Sequence, residues 1–212
     1  NLTDMAGQIS AQLDQFMWNH YHQLDMLKAA SSLVSDGNYR IDSTLIKQLQ
    51  ASFPSFSWVG VTDANGIVKA SSGDILLDSD ISARPVFIEG AKGDFIGDVH
   101  EALLLSELLP NPSGEPLRFV DISSPLYDKE GNFKGVLAAH LNWNWAQERV
   151  AMTADTFSDS KRMDVLVLSK DYDVLLGPNE LIGESLEQTM VPISRSSERH
   201  WASITWPDKQ KY

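Results

Sequence analysis

The residues best suited to recognition chemistry in this 212-residue sequence are one arginine, one histidine and a few polar side chains set among apolar strands. Arg84 stands in the stretch DISARPVF, residues 80–87, beside a proline, near an aromatic and in an acidic neighbourhood. A guanidinium is a planar fork of donors that suits a carboxylate. It either meets an anion arriving from outside or pins its own loop by pairing with Asp80, Glu89 or Asp94. His140 interrupts the apolar run 136–141, where strand alternation puts Val136, Ala138 and His140 on one face. Small Ala138 leaves room for a ligand there, and an imidazole can donate, accept or, once protonated, meet an anion. The plainer alternative is a solvent-facing or hydrogen-bonded core histidine. Trp58 shares its alternating face with Phe56 and Gly60, and either walls a pocket or packs in the core. Asp121 and Ser123 alternate along another strand and face either the same cavity or solvent.

Other chemistry is poorly supplied. Asp98 and His100, at i and i+2, share a strand face with Glu101 next to them, but this spacing fixes no metal site. Neither metal nor cofactor is expected. His20 and His22 point apart on a helix and read as part of a packed or exposed face. There is no GxSxG, HExxH or phosphate-binding loop, and no cysteine. Asp63, Asp128 and Asp171 each sit in a hairpin turn, where aspartate is favoured because it bonds its own backbone. The fragment therefore reads as a binding module and not an enzyme.

A net charge of -12 repels phosphate backbones, which excludes nucleic acid as a partner. Hydrophobic content of 42% and charged content of 22% are ordinary for a globular chain, enough for one large or two small domains. No apolar run is long enough to span a bilayer. A start at Asn1 with no signal peptide reads as a piece cut from something longer, with any membrane spans in the flanks.

The elements that position these residues follow from periodicity. Residues 1–35 carry apolar side chains at three- and four-residue steps (Met5, Ile9, Leu13, Met17, Leu24, Leu27, Val34), which predicts one long helix ended by Asp36-Gly37-Asn38. A short helix is expected over 42–51, stopped by Pro54. Strands 56–62 and 67–71 flank Asp63-Ala64-Asn65-Gly66, a hairpin turn. A short helix follows at 84–91, then a short strand in FIGDV. Residues 110–116, PNPSGEP, form a loop, and two longer strands meet around Asp128–Asn132. A helix over 142–157 connects to a second strand-turn-strand, MDVLVLSKDYDVLLGP, with a helix at 179–188 and a strand at 201–206. Trp143 and Trp145, at the start of the connecting helix, read as anchors between modules.

In their order, the long helix, the DxNG hairpin, the segment DISARPVF and the hairpin SSPLYDKEGNFKGVLAAHL resemble the double Cache family, the extracytoplasmic sensor domains of bacterial receptors. The resemblance covers roughly Asn1 to Trp206. It implies an α+β fold: a long N-terminal stalk helix (1–39) carrying two tandem PAS-like modules with antiparallel sheets. These are a membrane-distal ligand-binding module at 40–145, and a connecting helix with a smaller proximal module at 146–212. It also implies a periplasmic location in an inner-membrane protein, homodimerisation of the full receptor, and a histidine kinase, diguanylate cyclase or chemoreceptor output.

The amino-acid-binding subclass has an aromatic, an arginine, Trp-Tyr two and three positions later, and two aspartates downstream. Arg84 matches the arginine. Val86 stands where Trp is expected, Phe87 where Tyr is expected and Ser79 at the upstream aromatic. Asn111 falls near the first aspartate, and His140 at the second. The carboxylate-binding half is partly kept and the ammonium-binding half largely lost, so an organic acid or other anion is the expected ligand. The expected contacts are Arg84 on its carboxylate, Trp58 and Phe87 as walls, and Asp121, Ser123 and His140 at its polar end. A ligand-independent scaffold that signals through a partner protein is the alternative.

Overall fold

A computed structural model describes residues 2–30, 43–111, 114, 117–157, 164–169 and 171–186. Its contacts divide into two compact units, Asn19–Asn144 and Asn1–Trp18 with Trp145–Tyr212. Helix α1, Leu2–Ala30, contributes to both. Its apolar stripe appears as expected: Met5, Ile9, Leu24 and Leu27 are buried, and His20 is buried in line with them. His20 packs against Phe53 and Phe56, so the plain packing reading of this histidine holds.

The unit Asn19–Asn144 is built on one antiparallel sheet. Helix α2, Ser43–Ser52, leads into the hairpin β1 (Phe56–Thr62) and β2 (Val68–Ser71). Helix α3, Pro85–Gly90, follows, and then come two short strands, β3 (Phe95–Ile96) and β4 (His100–Glu101), and helix α4, Leu103–Ser106. The long hairpin β5 (Arg118–Tyr127) and β6 (Phe133–Asn142) completes the sheet, whose order is β2-β1-β6-β5-β3 with β4 also on β5. Helix α4 is not among the elements expected from the sequence. Gly135, at φ 149°, lets β6 cross Thr62 closely: a Cβ there would stand 2.7 Å from the Thr62 carbonyl carbon.

One expectation about β1 fails. Phe56 pairs with Leu141 and Trp58 pairs with His140, although Leu141 and His140 are adjacent. Ser57 is therefore an extra residue, a β-bulge, and it turns Phe56 to the opposite face from Trp58 and Gly60. The Gln50 amide stabilises the bulge by donating to the carbonyls of Phe56, at 3.1 Å, and Ser57, at 3.3 Å. One sheet face thus carries Phe56, Val59, Val61, Leu137, Ala139 and Leu141. The other carries Trp58, Asp121, Ser123, Ala138 and His140.

The hairpin turns behave as their aspartates suggest. Asp63 Oδ1 accepts the N–H groups of Asn65 and Ile67, and Asp128 Oδ1 accepts those of Glu130 and Asn132. The Asn132 backbone, then its side-chain amide and Lys134, hold the Asp128 carboxyl down from 3.8 to about 2. A depressed carboxyl stabilises the fold above its unfolded value, about 3.9, and that stability is lost as pH falls through about 2. An NMR titration should place Asp128 at about 2, and Asp128→Asn should remove this part of the acid sensitivity. A midpoint at the ordinary carboxylate value would refute the turn assignment.

In the other unit, α5 (Asn144–Phe157) packs Trp145 on Phe16, ring centroids 3.6 Å apart and nearly parallel. Strands β7 (Val167–Leu168) and β8 (Val174–Leu176) form the second hairpin. The expected helix at 179–188 is absent over 179–186. Gly183 has φ 88°, its N–H returns to the Val174 carbonyl, and Ser185 bridges Asp173, so the segment folds back along β8 instead of coiling. Residues 187–188 and the expected strand at 201–206 lie outside the described residues, as does the expected helix end at 31–39.

Candidate functional site

The site lies on the sheet face that carries Trp58. Alternation along β5 and β6, fixed by the pairs Asp121↔His140 and Ser123↔Ala138, brings Asp121, Ser123 and His140 together there. Trp58 stands beside them through its pairing with His140, and the two rings are 5.4 Å apart. The Trp58 indole N–H donates to the Ile75 carbonyl at 2.9 Å, which fastens the 72–78 segment over the sheet. Val86, Leu105, Phe119, Ile81 and Val68 complete a buried cluster with Trp58, Val136 and Ala138, and half-buried Phe87 packs against it.

Helix α3 lies on this face because Gly90 allows it. A Cβ at Gly90 would come within 2.8 Å of both Ser123 Cβ and Val136 Cγ1. Pro85 at the first turn sets the start of α3, and Arg84 is its N-cap residue. The Arg84 backbone carbonyl accepts from Phe87 and Ile88, but its side chain is exposed. None of its three neighbouring carboxylates pairs with it. Asp80 accepts the Ser82 N–H, Glu89 takes Lys92 at 2.7 Å, and Asp94 takes Ser124 and Tyr21. The structure thus brings Trp58, Phe87, Asp121, Ser123 and His140 to one face, while Arg84 stands at the exposed start of the helix above it.

The polar centre is unusual. Asp121 is 5% exposed, His140 8% and Ser123 fully buried. His140 Nδ1 lies directly against Asp121 Oδ1, and His100 Nε2 is 3.6 Å from the same oxygen. Asp121 Oδ1 and His140 Nδ1 meet as an ion-pair contact without hydrogen-bond geometry, and Ser123 Oγ makes no hydrogen bond. His100 reaches the site because β4 pairs beside β3, with His100 opposite Phe119. Its neighbours do not follow. Asp98 is exposed and bonds the Val99 N–H, and Glu101 pairs with Arg118 at 3.7 Å. The grouping of Asp98, His100 and Glu101 is therefore replaced by His100, Asp121 and His140. Only the register between β4 and β5 reveals it.

A second polar link ties α1 to this layer. The Tyr21 hydroxyl donates to Asp94 Oδ2 at 2.5 Å, and Ser124 donates to Asp94 Oδ1 at 2.6 Å. The bond to Asp94 pushes the Tyr21 hydroxyl up to about 12, and Ser124 and Tyr21 hold Asp94 below the usual carboxylate range.

This architecture recurs in solved structures. An extracellular ligand binding receptor from Desulfohalobium retbaense superposes with a TM-score of 0.67 at 14% identity, over 85% of this chain and 32% of that one. The fold is thus one that receptor ligand-binding domains share, in keeping with the resemblance noted in the sequence. The ligand-binding domain of the Pseudomonas aeruginosa PAO1 amino acid chemoreceptor PctC, in complex with GABA, matches with a TM-score of 0.66 and 15% identity, over 89% and 80% of the two chains. The sensory domain of the Campylobacter jejuni chemoreceptor Tlp3 with isoleucine bound matches with 0.63 and 16%, over 88% and 74%. This chain thus spans about a third of the Desulfohalobium receptor and about three quarters of the two chemoreceptor domains. At such identities the likeness is one of fold. No family model and no curated protein matches the sequence. No helix among the described residues is long and apolar enough to cross a membrane.

Proposed function

We propose that the chain is the periplasmic sensor domain of a bacterial transmembrane receptor, and that residues 40–145 are its membrane-distal module, which binds a small, anionic ligand. The observation that carries this reading is the buried polar centre of Asp121, Ser123 and His140 on an otherwise apolar face. Taking a carboxylate out of water costs several kcal/mol even when it is paired, so a face serving only as core would be apolar. Arg84 supports an anion, because this residue of the cover is exposed and makes no ion pair among the described residues. In this reading an organic acid enters between the sheet and the 74–115 cover, Arg84 meets its carboxylate, and Phe87 and Trp58 wall it. Residues 1–39 form the stalk and 146–212 a smaller proximal module. A homodimer carries the signal to a cytoplasmic output, a histidine kinase or diguanylate cyclase. The ligand shifts the receptor only by its difference in affinity for the two states.

A second reading, a ligand-independent scaffold, draws on the cover itself: Gly90 sits directly on Ser123, and apolar side chains pack closely on Trp58. A thermal-shift screen of the chain and of Arg84→Ala against organic acids, amino acids, amines and inorganic anions separates the two. A ligand at a hundredfold excess over its Kd adds about 2.7 kcal/mol of stability. A carboxylate that raises the melting temperature of the native chain but not of Arg84→Ala supports the sensor reading. A flat screen across all classes favours the scaffold.

A further inference from the structure

We propose that His100, Asp121 and His140 bind a divalent first-row transition ion, and that this ion offers an open coordination position to the anionic ligand. One candidate ligand atom from each of the three residues lies within 4.8 Å of the other two. They come from three different strands, β4, β5 and β6, and converge on the sheet face that carries Trp58.

The hydrogen-bonding capacity of the three groups argues for a cation between them. His100 Nδ1 is 3.2 Å from the Asp98 carbonyl, which can only accept, so Nδ1 carries the proton. In the neutral ring Nε2 then holds a lone pair, and it faces Asp121 Oδ1 at 3.6 Å. That separation is too long for a hydrogen bond. It matches two ligands of one tetrahedral ion, which at bond lengths of about 2.0–2.1 Å stand roughly 3.4 Å apart. His140 Nδ1 and Asp121 Oδ1 also face each other without hydrogen-bond geometry. For His100, a ring whose other nitrogen donates to a backbone carbonyl is the usual posture of a metal-bound histidine. The His140 contact is closer than two ligands of one ion stand, so binding opens it slightly.

Two imidazoles and one carboxylate favour zinc, nickel, cobalt, copper or ferrous iron over calcium and magnesium, which take oxygen ligands. Three protein ligands leave at least one position free. The His100 side chain is 40% exposed, which gives the ion a way in, while Asp121 and His140 are shielded. The ion also resolves a conflict of charge. An anionic ligand on this face, as proposed above, would meet the buried Asp121 carboxylate directly. With a divalent cation the centre carries a net positive charge, and the repulsion becomes shared coordination. The role of the open position rests on the sensor reading; the ion site itself stands on the three side chains.

The test uses the chain stripped with chelator and titrated calorimetrically with Zn²⁺, then Ni²⁺, with Ca²⁺ for comparison. Asp121→Asn keeps the side-chain shape, and His100→Ala alters only a half-exposed residue, so a folded variant remains available even if one is damaged. One Zn²⁺ per chain, weakened at least about tenfold in a variant with unchanged circular dichroism, supports the site. No Zn²⁺ or Ni²⁺ binding overturns it, as does binding that both folded variants retain, which would place the ion elsewhere. The organic-acid screen is run with and without Zn²⁺. A carboxylate that binds the stripped chain as tightly as the loaded one overturns the bridging role while upholding the sensor. Stoichiometric zinc with a flat solute screen upholds the ion site and removes the anion reading.

Discussion

Trp58→Ala is expected to destabilise the unit Asn19–Asn144 by about 3–5 kcal/mol, the range for truncating a fully buried large aromatic. Trp58 is wholly buried and sits at the centre of the cluster that includes Val68, Val86, Phe119 and Val136. Its loss leaves a cavity that Phe119 and Val136 cannot readily collapse to fill, because β5 and β6 are held by ladder bonds on both sides. It also removes the indole donor from the Ile75 carbonyl. Trp58→Phe should recover most of the packing but not that bond, and so fall well short of the alanine loss. Urea unfolding followed by circular dichroism reads both. An alanine effect under about 1 kcal/mol would mean that the cluster around Trp58 is loosely packed.

Gly90→Ala should destabilise by about 1–3 kcal/mol through overpacking, and here the sign matters more than the size. Gly90 lies in α3 with no positive φ, and in such a position glycine to alanine ordinarily stabilises by roughly 0.4–1 kcal/mol. The added methyl, however, would meet Ser123 Cβ and Val136 Cγ1 at 2.8 Å. The helix must lift from the sheet or the strand must give. In the double variant with Ser123→Gly part of the loss should return, with a coupling of about 0.5 kcal/mol or more. A stabilised single variant would show that α3 is free to ride away from the sheet. That result would favour a mobile cover, whereas the expected destabilisation describes a seated one.

Much of the fold was legible because it rests on local rules. The turns around Asn65-Gly66 and Asp128–Asn132, the proline at the start of α3 and the stripe of α1 each carry their signal within a few residues. Asp121, Ser123 and His140 were legible for the same reason, since β5 and β6 alternate regularly through them. Failures came where a single residue changes the count or where distant strands meet. Ser57 adds one residue to β1 and sends Phe56 to the other face, and nothing in FSWVGV marks it. His100 was visible only beside its sequence neighbours; its true companions depend on which residue of β5 it opposes. The direction of Arg84 was equally hidden. Proline fixes where the helix begins, not where the preceding side chain goes.

The sheet order also governs how the chain reaches this state. β5 and β6 are joined by a tight turn and form a hairpin with little loss of chain freedom, on a microsecond scale. β1 does not pair with a sequence neighbour on its inner side but with β6, and the Val136 N–H bonds a Thr62 hydroxyl 74 positions away. Everything between them must be looped before the first such contact is rewarded. Sheets dominated by pairings this distant fold in milliseconds to seconds. Until β1 docks, one edge of the β6 strand with its apolar residues Val136, Leu137 and Leu141 is unpaired, which is the interval in which a nascent chain is most open to joining another copy of itself.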